Sequence, residues 1–203
     1  MVDFRKRWAQ PDHPVQEEIV RRWSPYVFSD KPVTDADLRC LFEAARWAAS
    51  SYNEQPWRYI VATKTQGAEY DRVLSCLFEA NQVWARHAPV LAIAVIALNF
   101  TRNGKPNKAA FHDLGLASAS LTFEATAREL TVHQMIGITP ERAREVFSIP
   151  DGFEAMTGLA IGYPGDPTTA DDTMRQRDEW PRTRKSLNEL VFSGAWGQAS
   201  PFL

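Results

Sequence analysis

The chain has 203 residues, 44% of them hydrophobic and 24% charged, enough to bury a substantial core within the usual size of one domain. Its formal net charge of -2 creates no overall field that would gather nucleic acid or anionic lipid, so any anion site depends on local clustering of Arg and Lys. The opening MVDFRKRWAQ has no apolar run behind its charges, and nowhere does the sequence approach the roughly eighteen consecutive apolar residues that span a bilayer.

The first segment with chemical character is Arg21-Arg22-Trp23-Ser24-Pro25-Tyr26-Val27-Phe28. Guanidinium forks make bidentate bonds to phosphate oxygens and a neighbouring hydroxyl adds a neutral donor, although a solvated basic turn has the same composition. A helix then begins at Thr34, whose hydroxyl caps it with Asp37 three residues on, and Leu38, Leu41, Phe42 and Ala45 form its apolar stripe. It gives way to the polar run Ser50-Ser51-Tyr52-Asn53-Glu54-Gln55. Uncharged donors and acceptors beside Trp47 and Trp57 suit the edge and face of a flat heterocycle; a helix end satisfying its own carbonyls is the competing reading.

Residues 59–63 read as a strand, residues 68–86 as one helical stretch, and residues 89–98 as a buried strand. The polar TRNGKPNK of residues 101–108 reads as an ordinary surface connection, with a substrate lid as the alternative. A helix rich in small residues, permitting close packing, is expected from Asp113 to about Leu130. A second capped helix starts at Thr139-Pro140 and stops near Pro150, and Gly158–Gly162 forms another strand. Pro181-Arg182-Thr183-Arg184-Lys185 ends the series with a further basic cluster. Strands separated by helical patterns point to an α+β or three-layer arrangement.

Cys40 and Cys76 lie in apolar helical patterns and read as core thiols, which fits a reducing cytoplasm. His13, His87, His112 and His133 have no second ligand at metal spacing, so each reads as structural or surface. No GxGxxG follows a strand, and GxxxxGK[ST], HExxH and GxSxG do not occur. The difficult chemistry is therefore not announced by a side-chain motif, and neither a catalytic side chain nor a metal is assigned.

Taken in order, RRWSPYVF, EAARWAASSYNEQPWRYIVAT, ANQVWARHAP, IGYPGD and PRTRKSL resemble the nitroreductase family of flavoproteins. The resemblance covers nearly the whole chain, and its second segment is the most specific. It implies a single FMN-binding domain over residues 1–203, built as a three-layer α/β/α sandwich with a mainly antiparallel central sheet. It also implies a cytoplasmic homodimer that passes reducing equivalents from NAD(P)H through FMN to a small-molecule oxidant such as a nitroaromatic or quinone, in ping-pong order. A specialised enzyme on the same scaffold, or a flavin-binding redox sensor without turnover, is the alternative.

Carried over by residue, the resemblance places the FMN phosphate on Arg22, Ser24, Arg182 and Arg184, with Trp23 beside them. Tyr26 stands where relatives often have Lys or Arg, and Trp84 where some have Lys. Ala49, Ser50, Ser51, Asn53 and Gln55 fall on the stretch that touches the flavin of the other subunit, Ala49 replacing a usual Pro. Asn81 matches a residue on the pyrimidine edge. Gln134, Met135, Ile136 and Gly137 match a loop facing the ring, and Asp113 sits where relatives often place a polar residue near the flavin.

Overall fold

The structure is a computed structural model that describes residues 3–203. Its frame is a four-stranded, wholly antiparallel sheet of β1 (Trp57–Thr63), β2 (Val90–Ala97), β3 (Thr131–Met135) and β4 (Phe153–Gly162), in the order β1-β2-β4-β3. The helices are α1 (Glu17–Arg21), α2 (Asp35–Arg46), α3 (Ala68–Leu74), α4 (Glu79–Ala85), α5 (Ala110–Ala127), α6 (Pro140–Phe147) and α7 (Asp172–Glu179).

β2 explains the layering. Successive side chains of a strand point to opposite faces, and Leu91, Ile93 and Val95 enter one core while Val90, Ala92, Ala94 and Ile96 enter the other. The first core is closed by Tyr70 and Val73 of α3, Trp84 of α4 and Ala143 of α6. Leu41 and Ala45 of α2, with Leu114, Ala117 and Leu121 of α5, close the second. With both faces covered, an antiparallel strand becomes uninterruptedly apolar, and the fold is the expected α/β/α sandwich.

The local rules hold at α2, where the Thr34 hydroxyl accepts from the Asp37 amide at 3.0 Å and donates to its carboxylate at 2.7 Å. Four expectations need correction. Residues 68–86 form two helices, because the backbone between them is spent on residues 137–139. There the Phe78 amide donates to the Gly137 carbonyl at 2.9 Å and the Thr139 amide to the Cys76 carbonyl at 2.7 Å. Thr139 makes no side-chain cap, leaving Pro140 at the first turn to start α6. The small-residue helix begins three residues early and stops at Ala127, so residues 131–135 are free to form edge strand β3. Cys76 is buried, but Cys40 is only half-buried.

Candidate functional site

The two basic clusters, 160 residues apart in sequence, meet. Arg22 caps the end of α1 and Arg182 follows α7; the Arg182 guanidinium donates to the carbonyls of Arg7 and Val20, docking the C-terminal segment beside Ser24. Arg22, Ser24, Arg177, Arg182 and Arg184 line one cavity of about 270 Å³. Arg22 reaches the Ser24 hydroxyl at 3.2 Å. Burial, then the charge of Arg184, lowers the Arg22 pKa. Burial, then Arg22 and Arg184, brings Arg182 down to about 10. Among the described residues, no carboxylate lies within ion-pair distance of any of these guanidiniums. Five guanidiniums, these four and Arg7, line the cavity against one carboxyl, Asp178, and that surplus of positive charge forms a site for an anion of high charge density.

Sequence reasoning missed two members of this wall, both in the charge-dense α7, where RQRDE reads as a solvated face. Arg177 stands with its guanidinium 5.3 Å from the centre of the Tyr26 ring. A cation absent from position 26 is thus present in space, from another element. Asp178 is only 4% exposed. One carboxylate oxygen accepts from the Tyr26 amide at 2.6 Å, and the other has no hydrogen-bond partner. Burial pushes its pKa up to about 6, against the opposing pull of the Tyr26 amide and the Arg7 charge.

Behind this wall, Tyr26 packs edge-on to Trp84 and to His133 at 5.1 and 4.7 Å. Trp84 is a core residue, so it offers no surface at which a lysine's charge would be replaced. His133 lies 2.9 Å through Nδ1 from the Pro25 carbonyl, which can only accept, so Nδ1 carries the proton. Burial lowers its pKa and keeps the ring neutral. Trp23 is buried beside the cavity, with its ring 6.2 Å from Phe4.

Asn81 and Gly137 also come together. The Asn81 amide donates to the Gly137 carbonyl at 2.9 Å, and its oxygen accepts from the Trp84 indole at 3.3 Å. A Cβ on Gly137 would stand 2.4 Å from that amide nitrogen, so the close approach requires glycine. The expectation for residues 134–137 is corrected in part. Gln134 and Met135 end β3 rather than forming a loop; the Gln134 amide points to α5, donating to Thr122 and the Ser118 carbonyl, and Met135 is buried. Ile136 is 81% exposed, and Gln134 is exposed as well.

Residues 49–55 stand elsewhere. They lead into β1, on the opposite edge of the sheet from β3, three inter-strand steps or about 14 Å away. The Ser50 hydroxyl accepts from the Gln55 amide and the Gln55 side chain donates to the Asn53 carbonyl. Tyr52, Asn53 and Gln55 all have positive φ, between 51° and 55°. Such a run of strained non-glycine residues persists only where its surroundings over-determine it. Asp113 is part of that support: buried at the start of α5, it accepts from the Ser51 amide at 3.0 Å. It therefore shapes this segment. Ala49, in place of proline, is accommodated without a break.

A family model described as the nitroreductase family matches residues 19–163. The chain belongs to that family. Its relatives include an uncharacterised 15.4 kDa protein of Mycolicibacterium smegmatis, 42% identical over 85 residues, which cover 42% of this chain and 57% of that protein. A putative NADH dehydrogenase/NAD(P)H nitroreductase of Streptomyces coelicolor is 27% identical, covering 76% of this chain and 85% of the relative. Among solved structures, an oxidoreductase containing FMN superposes with a TM-score of 0.85 at 33% identity, covering 92% of this chain and 94% of the other.

Proposed function

We propose that this nitroreductase-family chain is an FMN-dependent NAD(P)H oxidoreductase, a single FMN-binding domain over residues 1–203 that reduces small electrophiles such as nitroaromatics or quinones. The observation that carries it is the cavity of unpaired guanidiniums from Arg22, Arg182 and Arg184 beside Ser24. A flavin phosphate dianion balances the positive charge that the single lining carboxyl, Asp178, leaves over. Arg177 and Tyr26 form the same wall, and Asn81 with Gly137 provides an uncharged polar rim for the ring edge.

When bound, FMN supplies reversible two-electron storage, so donor and oxidant occupy one site in turn and the kinetics are ping-pong. The protein's own share is binding, orientation and electrostatics. Arg22 and Ser24 anchor one end, while backbone and amide groups near Gly137 offer hydrogen bonds to charge developing at the other. The neutral His133 and buried Trp84 exclude water from behind the wall. No side chain is required as an obligatory acid or base.

Two geometric facts support a homodimer. Residues 49–55 stand on the far sheet edge from the arginine cavity, so a second copy is the natural source of that segment. In addition α5 carries apolar side chains on its outer as well as its inner side: Leu121 and Ala117 face the core while Phe111, Leu116 and Phe123 remain exposed. The free cysteines and modest charge agree with a cytoplasmic protein. The deciding experiment is anaerobic absorbance of the purified protein supplied with FMN, then NADH or NADPH, then nitroaromatics and quinones, alongside its mass in solution. A flavin spectrum bleached by a nicotinamide and restored by the oxidant is expected. A colourless protein after FMN addition refutes the reading.

A further inference from the structure

The connection after β2 does more than link it to α5. Glu54 accepts from both the backbone amide and the hydroxyl of Thr101, tying residues 98–108 to the strained Ser50–Gln55 segment. That tie lays the Arg102 guanidinium 3.8 Å above the Tyr52 ring and 5.2 Å from Phe100. Phe100 meets Tyr52 edge-on at 5.9 Å. Tyr52 is nonetheless 73% exposed.

Arg102 makes no hydrogen bond and no ion pair among the described residues. The nearby carboxylate, Glu54, is spent on Thr101; its pKa is lowered first by that hydroxyl and amide, and only afterwards by the charges of Arg102 and Arg58. A guanidinium with its fork free, held beside two aromatic rings, has the groups that recognise a flat aromatic molecule carrying an anionic substituent. The rings receive the aromatic face and the fork takes the anion.

We propose that Tyr52, Phe100 and Arg102 form the binding site for the oxidising substrate, and that this substrate is an aromatic electrophile bearing a carboxylate or comparable anion. The inference rests on reading Ser50–Gln55 as part of the flavin site, because that is what brings the cluster beside the reacting ring. The cofactor phosphate has its own cations on the opposite sheet edge, so Arg102 is free for a different anion.

The test uses the FMN-loaded protein and two matched oxidants, para-nitrobenzoate and its uncharged isostere para-nitrobenzamide. Arg102→Gln is expected to lower kcat/KM for the carboxylate about tenfold, through KM, as loss of one charge-assisted contact implies. The amide is expected to change by less than about twofold. Arg102→Lys, which keeps the charge without the fork, should fall between wild type and Arg102→Gln. Calorimetric titration of para-nitrobenzoate into the oxidised protein should show the same loss of affinity without turnover. Flavin reduction by nicotinamide, measured with no oxidant present, should change far less than the carboxylate reaction, because the nicotinamide ring that shares the site carries an uncharged carboxamide. Equal effects on both oxidants, no effect on either, or a rise confined to the nicotinamide KM would overturn the assignment. A protein that binds FMN and is reduced but makes no distinction between the oxidants sinks this inference alone; one that takes up no flavin sinks the proposed function as well.

Discussion

Asp178 offers the most discriminating test of the anion site. The substitution Asp178→Asn keeps size and shape, preserves an acceptor for the Tyr26 amide and removes the charge. A carboxyl moved from 3.8 to about 6 is harder to ionise in the folded chain than in the unfolded one by about 3 kcal/mol. Because the folded value is the higher, the fold bears this cost in full above about pH 6, where both states are ionised, and is relieved of it below about pH 4, where both are protonated. The dependence runs opposite to ordinary acid lability. At about pH 7.5 the asparagine variant therefore gains about 3 kcal/mol and loses about 1 for the amide N–H donors it places where the second carboxylate oxygen has no partner, a net of about 2 kcal/mol. For a chain of this length that is a rise in Tm of about 4–8 °C. At about pH 4.5 the wild-type cost has shrunk to about 1 kcal/mol and the advantage disappears.

Scanning calorimetry of wild type and variant at both pH values decides the matter. A variant less stable at the higher pH, or one whose advantage does not depend on pH, refutes the claim that burial of a charge dominates at Asp178. The same reasoning links the carboxyl to the cavity. A dianion among Arg22, Arg182 and Arg184 repels the nearby Asp178 charge, so anion affinity in wild type should rise as pH falls through about 6, and should lose that slope in Asp178→Asn.

Three further substitutions probe the site and its frame. Arg184→Gln should weaken FMN retention by about ten- to a hundredfold, the worth of a charge-assisted bond to phosphate, measured by fluorescence titration; inorganic phosphate should compete with FMN in wild type. Gly137→Ala places a methyl 2.4 Å from the Asn81 amide nitrogen. Because that neighbour is a side chain, the protein should stay folded while the displaced amide shifts flavin affinity or potential, and an unchanged flavin would separate Asn81 from the ring. Gly165→Ala meets the Phe28 backbone at 2.7 Å, where residues 27–29 pair with 163–165. It should cost about 1–3 kcal/mol in denaturant melts, and a neutral result would show that this ribbon does not fix the cavity wall.

What could be read without coordinates follows from how locally each feature is encoded. The α2 cap lies within four residues, and the apolar run of β2 is complete within eight, so both were legible. The two basic clusters were each legible as phosphate binders, and only their meeting depended on the fold. β3 was hidden because an edge strand carrying His133 and Gln134 lacks an apolar signature: each of those side chains finds its partner in Pro25 or Thr122, far along the chain. The break at residues 75–78 was hidden for the same reason, since the bonds that replace the helix come from residues 137–139.

Arg177 and Asp178 show the sharper limit. Both sit in a helix whose composition is that of solvent-facing surface, and one of them is almost wholly buried. What buries Asp178 is the chain around Tyr26, and what gives Arg177 its role is the absence of a cation at that same position. Position 26 is therefore best understood as one half of an exchange: a Tyr that packs against Trp84 and His133 requires the charge to arrive from outside, and α7 delivers it. If so, Tyr26→Lys alone should crowd two cations onto one wall and destabilise the empty cavity, whereas Tyr26→Lys combined with Arg177→Gln should recover much of that loss. Additive effects in this double-mutant cycle, read from denaturant midpoints with and without bound FMN, would break the link between the two positions.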